Sequence, residues 1–164
     1  MRIGLFGGSF DPPHNGHLSI IDQAFNKNLV DEVWIIPTWK NAWKEEEANP
    51  GQRLAMCQLL INSNIKIIDL EIKRENTSYT IDTVLELKRL YDHQFFWLIG
   101  NDHLADLEKF KDSGKLLKEI IFIGFPRTNV SSSEIRNRIK RGELISSLVP
   151  KRVEEFIRNN NLYK

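Results

Sequence analysis

Two histidines three residues apart, His14 and His17, stand in the segment Gly7-Gly8-Ser9-Phe10-Asp11-Pro12-Pro13-His14-Asn15-Gly16-His17. If a helix begins near Asn15, both imidazoles project from its first turn toward the same space. There they add side-chain donors to the free backbone N–H groups and the positive dipole end of the helix, which is the chemistry of an anion site. Gly7 and Gly8 let the backbone approach a bound group and adopt torsions that a Cβ forbids, and Pro12 and Pro13 stiffen the turn. A glycine- and proline-rich turn with two incidental histidines is the plainer alternative. Zinc is another, weakened because no third ligand lies nearby at the usual spacing.

A second stretch, Ser131-Ser132-Ser133-Glu134-Ile135-Arg136, has Ser and Glu at capping-box spacing, so a helix should begin here with Ile135 and Ile139 facing inward. Such a helix needs no function. The extra hydroxyls of Ser132 and Ser133, with the Arg136 guanidinium one turn on, convert its N-terminus into a second phosphate cradle. Asp102, after Gly100-Asn101, can accept hydrogen bonds from ribose hydroxyls or cap a helix at 103–110. Thr80 can cap a helix starting at Ile81.

These groups need a frame. Five short apolar runs recur: Arg2–Phe6, Glu32–Ile36, Ile65–Ile68, Phe95–Ile99 and Ile120–Ile123. They lack strict polar alternation, as strands buried on both faces of a parallel sheet do. Helical stripes separate them: Leu18, Ile21, Phe25 and Leu29; Leu54, Ala55, Gln58 and Leu59; Ile81, Val84, Leu85 and Tyr91. The β-α alternation predicts an α/β fold, a Rossmann-like open parallel five-stranded sheet with helices on both faces, closed by C-terminal helices starting near Ser132 and Pro150. In that fold the segment after the first strand and the one after the fourth lie at the carboxyl edge, where ligands bind.

Composition narrows the class. A chain of 164 residues with 23 Lys plus Arg against 22 Asp plus Glu lacks the long-range field of a nucleic-acid or membrane-surface binder, so phosphate recognition must be local. One domain over residues 1–164 is expected. The single Cys57 excludes an internal disulfide framework, no apolar run approaches the roughly 20 residues of a membrane span, and the chain reads as cytoplasmic. Lys44-Glu45-Glu46-Glu47 reads as a solvated loop. His93, His103, Trp34 and Trp97 read as packing, and Arg53 as an anchor for the following helix.

The element His14-Asn15-Gly16-His17 resembles the His-x-Gly-His signature of nucleotidyltransferases. With Gly-Gly-Ser-Phe-Asp-Pro-Pro-His at 7–14, Ser-Tyr-Thr at 78–80, Ile-Gly-Asn-Asp at 99–102, Ser-Ser-Ser-Glu-Ile-Arg at 131–136 and Asn161-Leu-Tyr163, the chain is similar to the bacterial nicotinate-nucleotide adenylyltransferases along nearly all of its length. The resemblance implies transfer of the adenylyl group of ATP to nicotinate mononucleotide, giving nicotinate adenine dinucleotide and pyrophosphate. Nicotinamide mononucleotide or another phosphate acceptor, and a nucleotide-binding regulatory module without turnover, are the alternatives. It implies a catalytic set of His14, His17, Lys44 and Arg136, and ATP contacts from Gly7, Gly8, Ser9, Phe10, Gly16, Gly100, Asp102, Ser132 and Ser133. Tyr79, Thr80 and Phe110 would take the pyridine side. Lys44 matches the family's basic residue seven positions beyond Pro37, with Lys40 as competitor, because Asn41-Ala42-Trp43 replaces the usual Pro-Pro-His. Phe110 stands where the family has a Trp that stacks on the pyridine ring.

Such chemistry is an in-line attack on the α-phosphorus with no covalent intermediate, and Mg²⁺ arrives on the triphosphate without a metal site in the protein. The main departure is length: with the fifth strand region ending near Arg127, only Thr128, Asn129 and Val130 precede Ser131, where family members carry a further helix and a sixth strand.

Overall fold

The computed structural model describes residues 1–164 without a gap. Its first half runs β1 (Arg2–Gly8), α1 (Asn15–Asn26), β2 (Glu32–Pro37), β3 (Lys40–Asn41), α2 (Pro50–Gln58), β4 (Ile65–Ile67), α3 (Leu70–Arg74) and β5 (Thr77–Ser78). The second half runs α4 (Thr80–Leu90), β6 (Gln94–Gly100), α5 (Asn101–Leu104), a 3₁₀ turn (Leu107–Lys109), α6 (Ser113–Glu119), β7 (Ile121–Phe125), α7 (Ser132–Lys140) and α8 (Lys151–Asn159). The five apolar runs form one parallel sheet in the order β4-β2-β1-β6-β7. Strand order reverses between β1 and β6, which opens a crevice at their carboxyl ends.

Both sheet faces are buried, as the unbroken apolar runs require. Alternate side chains divide between two clusters: Phe6, Val33, Ile35 and Leu98 pack with α1, α2, α7 and α8, while Leu5, Trp34, Ile36, Trp97 and Ile99 pack with α4 and α6. No helix is long and apolar enough to cross a membrane.

Several local expectations change. The β6-to-β7 crossover is three short pieces: what was read as one helix at 103–110 breaks at Ala105 and Asp106, and α6 starts only after Asp112, at a positive φ of 50°. Asp102 sits inside the first turn of α5, whose N-cap is Gly100, so it caps nothing. Thr80 is likewise the first residue of α4, capped by Tyr79 without a side-chain bond. Pro150 is the N-cap of α8 rather than its first residue. The buried stripe of α2 is Arg53, Met56 and Cys57, continued by Leu60 just past its end, and is rotated from the expected Leu54, Ala55, Gln58 and Leu59. A two-strand ribbon, β3 against β5, was not anticipated.

Candidate active site

His14 and His17 form a capping box made of imidazoles. His14 is the N-cap of α1; its Nδ1 accepts from the Gly16 amide at 3.0 Å, and His17 Nδ1 accepts from the His14 amide at 3.1 Å. With both Nδ1 atoms occupied as acceptors, each ring carries its proton on Nε2, which is left as a donor. The rings stack at 3.7 Å between centroids, and Phe10 backs His17 at 4.8 Å. Burial holds both imidazoles neutral: His14 is lowered to about 4, first by desolvation and then by the Lys44 charge, and His17 falls well below its usual value from desolvation, His14 and Lys44.

The first turn of α1 offers fewer backbone donors than the sequence suggested. The Asn15 amide donates to Leu148 O, Gly16 to His14 Nδ1, and His17 to His14 O. Anion binding there falls to the Nε2–H groups and the helix dipole. Free amides lie instead at Ser9 and Phe10 and at Ser132 and Ser133, none of which donates to a protein acceptor. The glycines also serve differently. Gly7 has ordinary strand torsions, and a Cβ there would lie 2.5 Å from the Trp97 ring, so space rather than torsion demands glycine; the positive φ belongs to Phe10, at 51°.

Ser131 caps α7, accepting from the Glu134 amide at 3.2 Å, while the Glu134 carboxylate turns to Arg138 and Arg141 and leaves the capping box half made. The two phosphate stretches meet directly: Ser132 Oγ donates to Pro12 O at 2.9 Å, and Arg136 Nη1 to Asp11 O at 2.8 Å. Arg136 also donates to Glu47 Oε1 at 3.2 Å and to Ser133 Oγ at 3.4 Å, so its guanidinium braces the loop from beside the cleft.

Between these stretches, at the β1–β6 reversal, lies a cleft of about 610 Å³. Gly7, Gly8, Ser9, Phe10, His14, Gly16 and His17 line it together with Ser132 and Ser133. Gly100, Asp102, Lys44, Tyr79, Thr80 and Phe110 complete it. Of the two lysines weighed, Lys44 reaches the cleft and Lys40 is exposed on β3. Lys44 exposes part of its length, yet its ammonium is held below the usual lysine range by desolvation first and by Arg136 next. Phe10 and Ser9 contribute backbone only: Phe10 is packed into the core, and Ser9 Oγ donates to Glu46 and accepts from Asn41.

Two residues organise the loops around the cleft: Arg53, read from sequence as an anchor, and Glu46, which sequence reading missed. Arg53 is 1% exposed and donates to Ser9 O, Thr38 O, Trp39 O and Ala48 O, stitching the loops after β1 and β2 to α2. Glu46 Oε1 accepts from Ser9 Oγ, Thr38 Oγ1 and the Asn41 amide and lies 4.0 Å from Arg53. The Lys-Glu-Glu-Glu stretch is thus a loop whose Lys44, Glu45 and Glu47 are exposed but whose Glu46 turns inward; Glu47 in turn bridges Arg136 and Lys140. The stripe on α2 that begins with Arg53 was the available signal. Asp11 completes the frame, accepting from the Glu47 and Ala48 amides and from Tyr163 Oη at 2.6 Å. Glu71, also on the cleft wall, accepts from Thr83 Oγ1 at 2.6 Å, leaves Oε2 without a partner and has its carboxyl pushed up by burial.

Comparison with known proteins places this arrangement. Residues 5–138 match the family model described as cytidylyltransferase-like. A probable nicotinate-nucleotide adenylyltransferase of Exiguobacterium sibiricum is 38% identical over 187 residues, covering 99% of this chain and 99% of that protein. The nicotinate-nucleotide adenylyltransferase of Bacillus subtilis is 36% identical over 186 residues, covering 99% and 98%. Both alignments are longer than this chain, so the relatives carry residues that it lacks. Among solved structures, Plasmodium falciparum nicotinic acid mononucleotide adenylyltransferase complexed with NaAD shares the fold with a TM-score of 0.83 at 22% identity, covering 99% of this chain and 97% of its own.

Proposed function

The chain belongs to the nicotinate-nucleotide adenylyltransferase family of cytidylyltransferase-like proteins, and we propose that its β1–β6 cleft performs that family's transfer with the residues described above. In the reaction, a phosphate oxygen of nicotinate mononucleotide attacks the α-phosphorus of ATP in line, the bond to the β-phosphate oxygen breaks, and pyrophosphate leaves. The observation that carries the assignment of residues is the direct contact of the two phosphate stretches, Ser132 to Pro12 and Arg136 to Asp11, across one cleft.

The triphosphate lies between α1 and α7. His14 and His17 donate from Nε2 to phosphate oxygens, a tautomer fixed by the backbone amides that each Nδ1 accepts. The Ser132 and Ser133 amides and the Ser133 hydroxyl receive the departing pyrophosphate at the positive end of α7. Lys44 places a poorly hydrated ammonium at the mouth, where it balances charge that builds on the leaving group. Arg136 acts as a positioning residue by holding the Asp11 loop, and its charge adds to the same field. Gly7, Gly8, Ser9 and Phe10 present backbone close to the nucleotide, Gly16 keeps room beside His14, and Asp102 after Gly100 accepts from the ribose hydroxyls. Mg²⁺ enters as part of the substrate on the triphosphate, where its usual ligands are phosphates and water. The protein's own contribution is alignment and electrostatic stabilisation.

The acceptor end is formed by Tyr79, Thr80 and Phe110. Lys111 stands over the Tyr79 ring at 4.5 Å and supplies a cation for the acid's carboxylate, which favours nicotinate over the neutral amide. A cytoplasmic location belongs to the same proposal and rests on the single unpaired thiol of Cys57. Purified protein with Mg-ATP and a panel of mononucleotides, monitored by pyrophosphate release, tests the reading. Release with nicotinate mononucleotide well above the others is expected. Release with a different acceptor overturns the acceptor assignment, and none with any acceptor overturns the catalytic one.

A further inference from the structure

Of the four tryptophans, Trp34 and Trp97 are buried and Trp39 is half-buried, but Trp43 is 57% exposed. An indole left in water contributes little to folding, and an exposed aromatic on a cleft wall is the usual form of an unfilled contact. Trp43 lines the cleft next to Lys44. Its ring meets Phe110 edge to face at 4.8 Å and 75°, and Phe110 is braced by Phe122 at 6.0 Å and 86°. Its backbone is tied down as well: the Trp43 amide donates to Asn41 Oδ1 at 2.8 Å, and Asn41 Nδ2 donates to Ser9 Oγ at 3.0 Å. The indole is thus set at a fixed angle to Phe110 and anchored to the phosphate loop.

The acceptor of the proposed reaction offers a matching group. Its pyridine nitrogen is bonded to the ribose carbon, so the ring is a planar cation, and a tryptophan face is the best side-chain surface for such a cation. Adenine, being neutral, gains stacking alone. We propose that Trp43 receives the pyridinium ring of the acceptor on its indole face, with Phe110 holding the indole edge-on, and so determines acceptor affinity. This inference rests on the function proposed above.

Steady-state kinetics and fluorescence titration of the wild type, Trp43→Phe and Trp43→Ala test it. The loss of one aromatic platform in Trp43→Ala should raise the acceptor KM about tenfold. The ATP KM should stay within about twofold, and Trp43→Phe should recover most of the acceptor affinity. Nicotinate mononucleotide alone should quench wild-type emission, ATP alone should not, and Trp43→Phe should abolish the quench. Equal rises in both KM values, an unchanged acceptor KM, or quenching by ATP alone overturns the inference. A wild type that turns over nicotinate mononucleotide beside an unaffected Trp43→Ala removes this inference only. A wild type that releases no pyrophosphate removes the parent reading, and the quench then decides separately whether Trp43 meets the pyridinium.

Discussion

The imidazole capping box ties stability to pH in a way that one substitution isolates. Above pH 6.5, the ordinary imidazole value, His14 is neutral in both the folded and the unfolded chain and contributes no pH dependence. Below it the unfolded imidazole takes up a proton, while the folded one, lowered to about 4 by desolvation, does not. The unfolded state then binds more protons, and stability falls as pH falls through this window. Integrating between those values for His14 alone gives a loss of about 2 kcal/mol at about pH 5 and about 3 kcal/mol by about pH 4. At 7% exposure, solvent screening reduces this only slightly. His17, depressed in the same direction, adds to the loss. His14→Asn keeps an N-cap acceptor for the Gly16 amide but cannot titrate. Urea unfolding of both proteins at about pH 7.5 and about pH 5 should show the wild type losing about 2 kcal/mol more than His14→Asn over that interval. The carboxylates titrating in the same range are common to both and cancel. Parallel pH curves would show that the ring is not held neutral by the fold, and the assignment of His14 Nδ1 as acceptor for the Gly16 amide would lose its basis.

Two further outcomes follow from the same contacts. His17→Ala removes the Nε2–H donor together with the acceptor for the His14 amide, so kcat should fall about 10²- to 10³-fold, the usual cost of one transition-state donor; a rate within threefold of wild type would remove His17 from the site. Arg53→Met strands four carbonyls and the Glu46 carboxylate, and the urea midpoint should report a loss of about 3–5 kcal/mol, with Arg53→Lys rescuing little because one ammonium cannot serve the same acceptors. A loss below about 1 kcal/mol would refute that account.

What the sequence revealed and what it hid divide along a physical line. The strands were legible because each is a short apolar run whose two faces are both buried, a property written in consecutive residues. The His14–His17 and Ser131–Glu134 spacings were legible because a helix start is a local event. Arg53 was legible as an anchor, but what it anchors was hidden, because its acceptors Ser9, Thr38 and Trp39 lie far along the chain. That one residue also displaced the predicted face of α2. Glu46 was hidden for the same reason inside a run of like charges. The spent amides of α1 could not be foreseen, since Leu148, which takes the Asn15 amide, comes from the other end of the chain.

The loop bearing Asp11 is held by Ser132, Arg136 and Tyr163, up to 152 positions away. A ribosome that has extruded only the first hundred residues has therefore already delivered both imidazoles but not the three C-terminal groups that close the loop in front of them. Competence arrives late in synthesis, when the final turns fold back, so emerging chains would hold no nucleotide firmly while they are still being made.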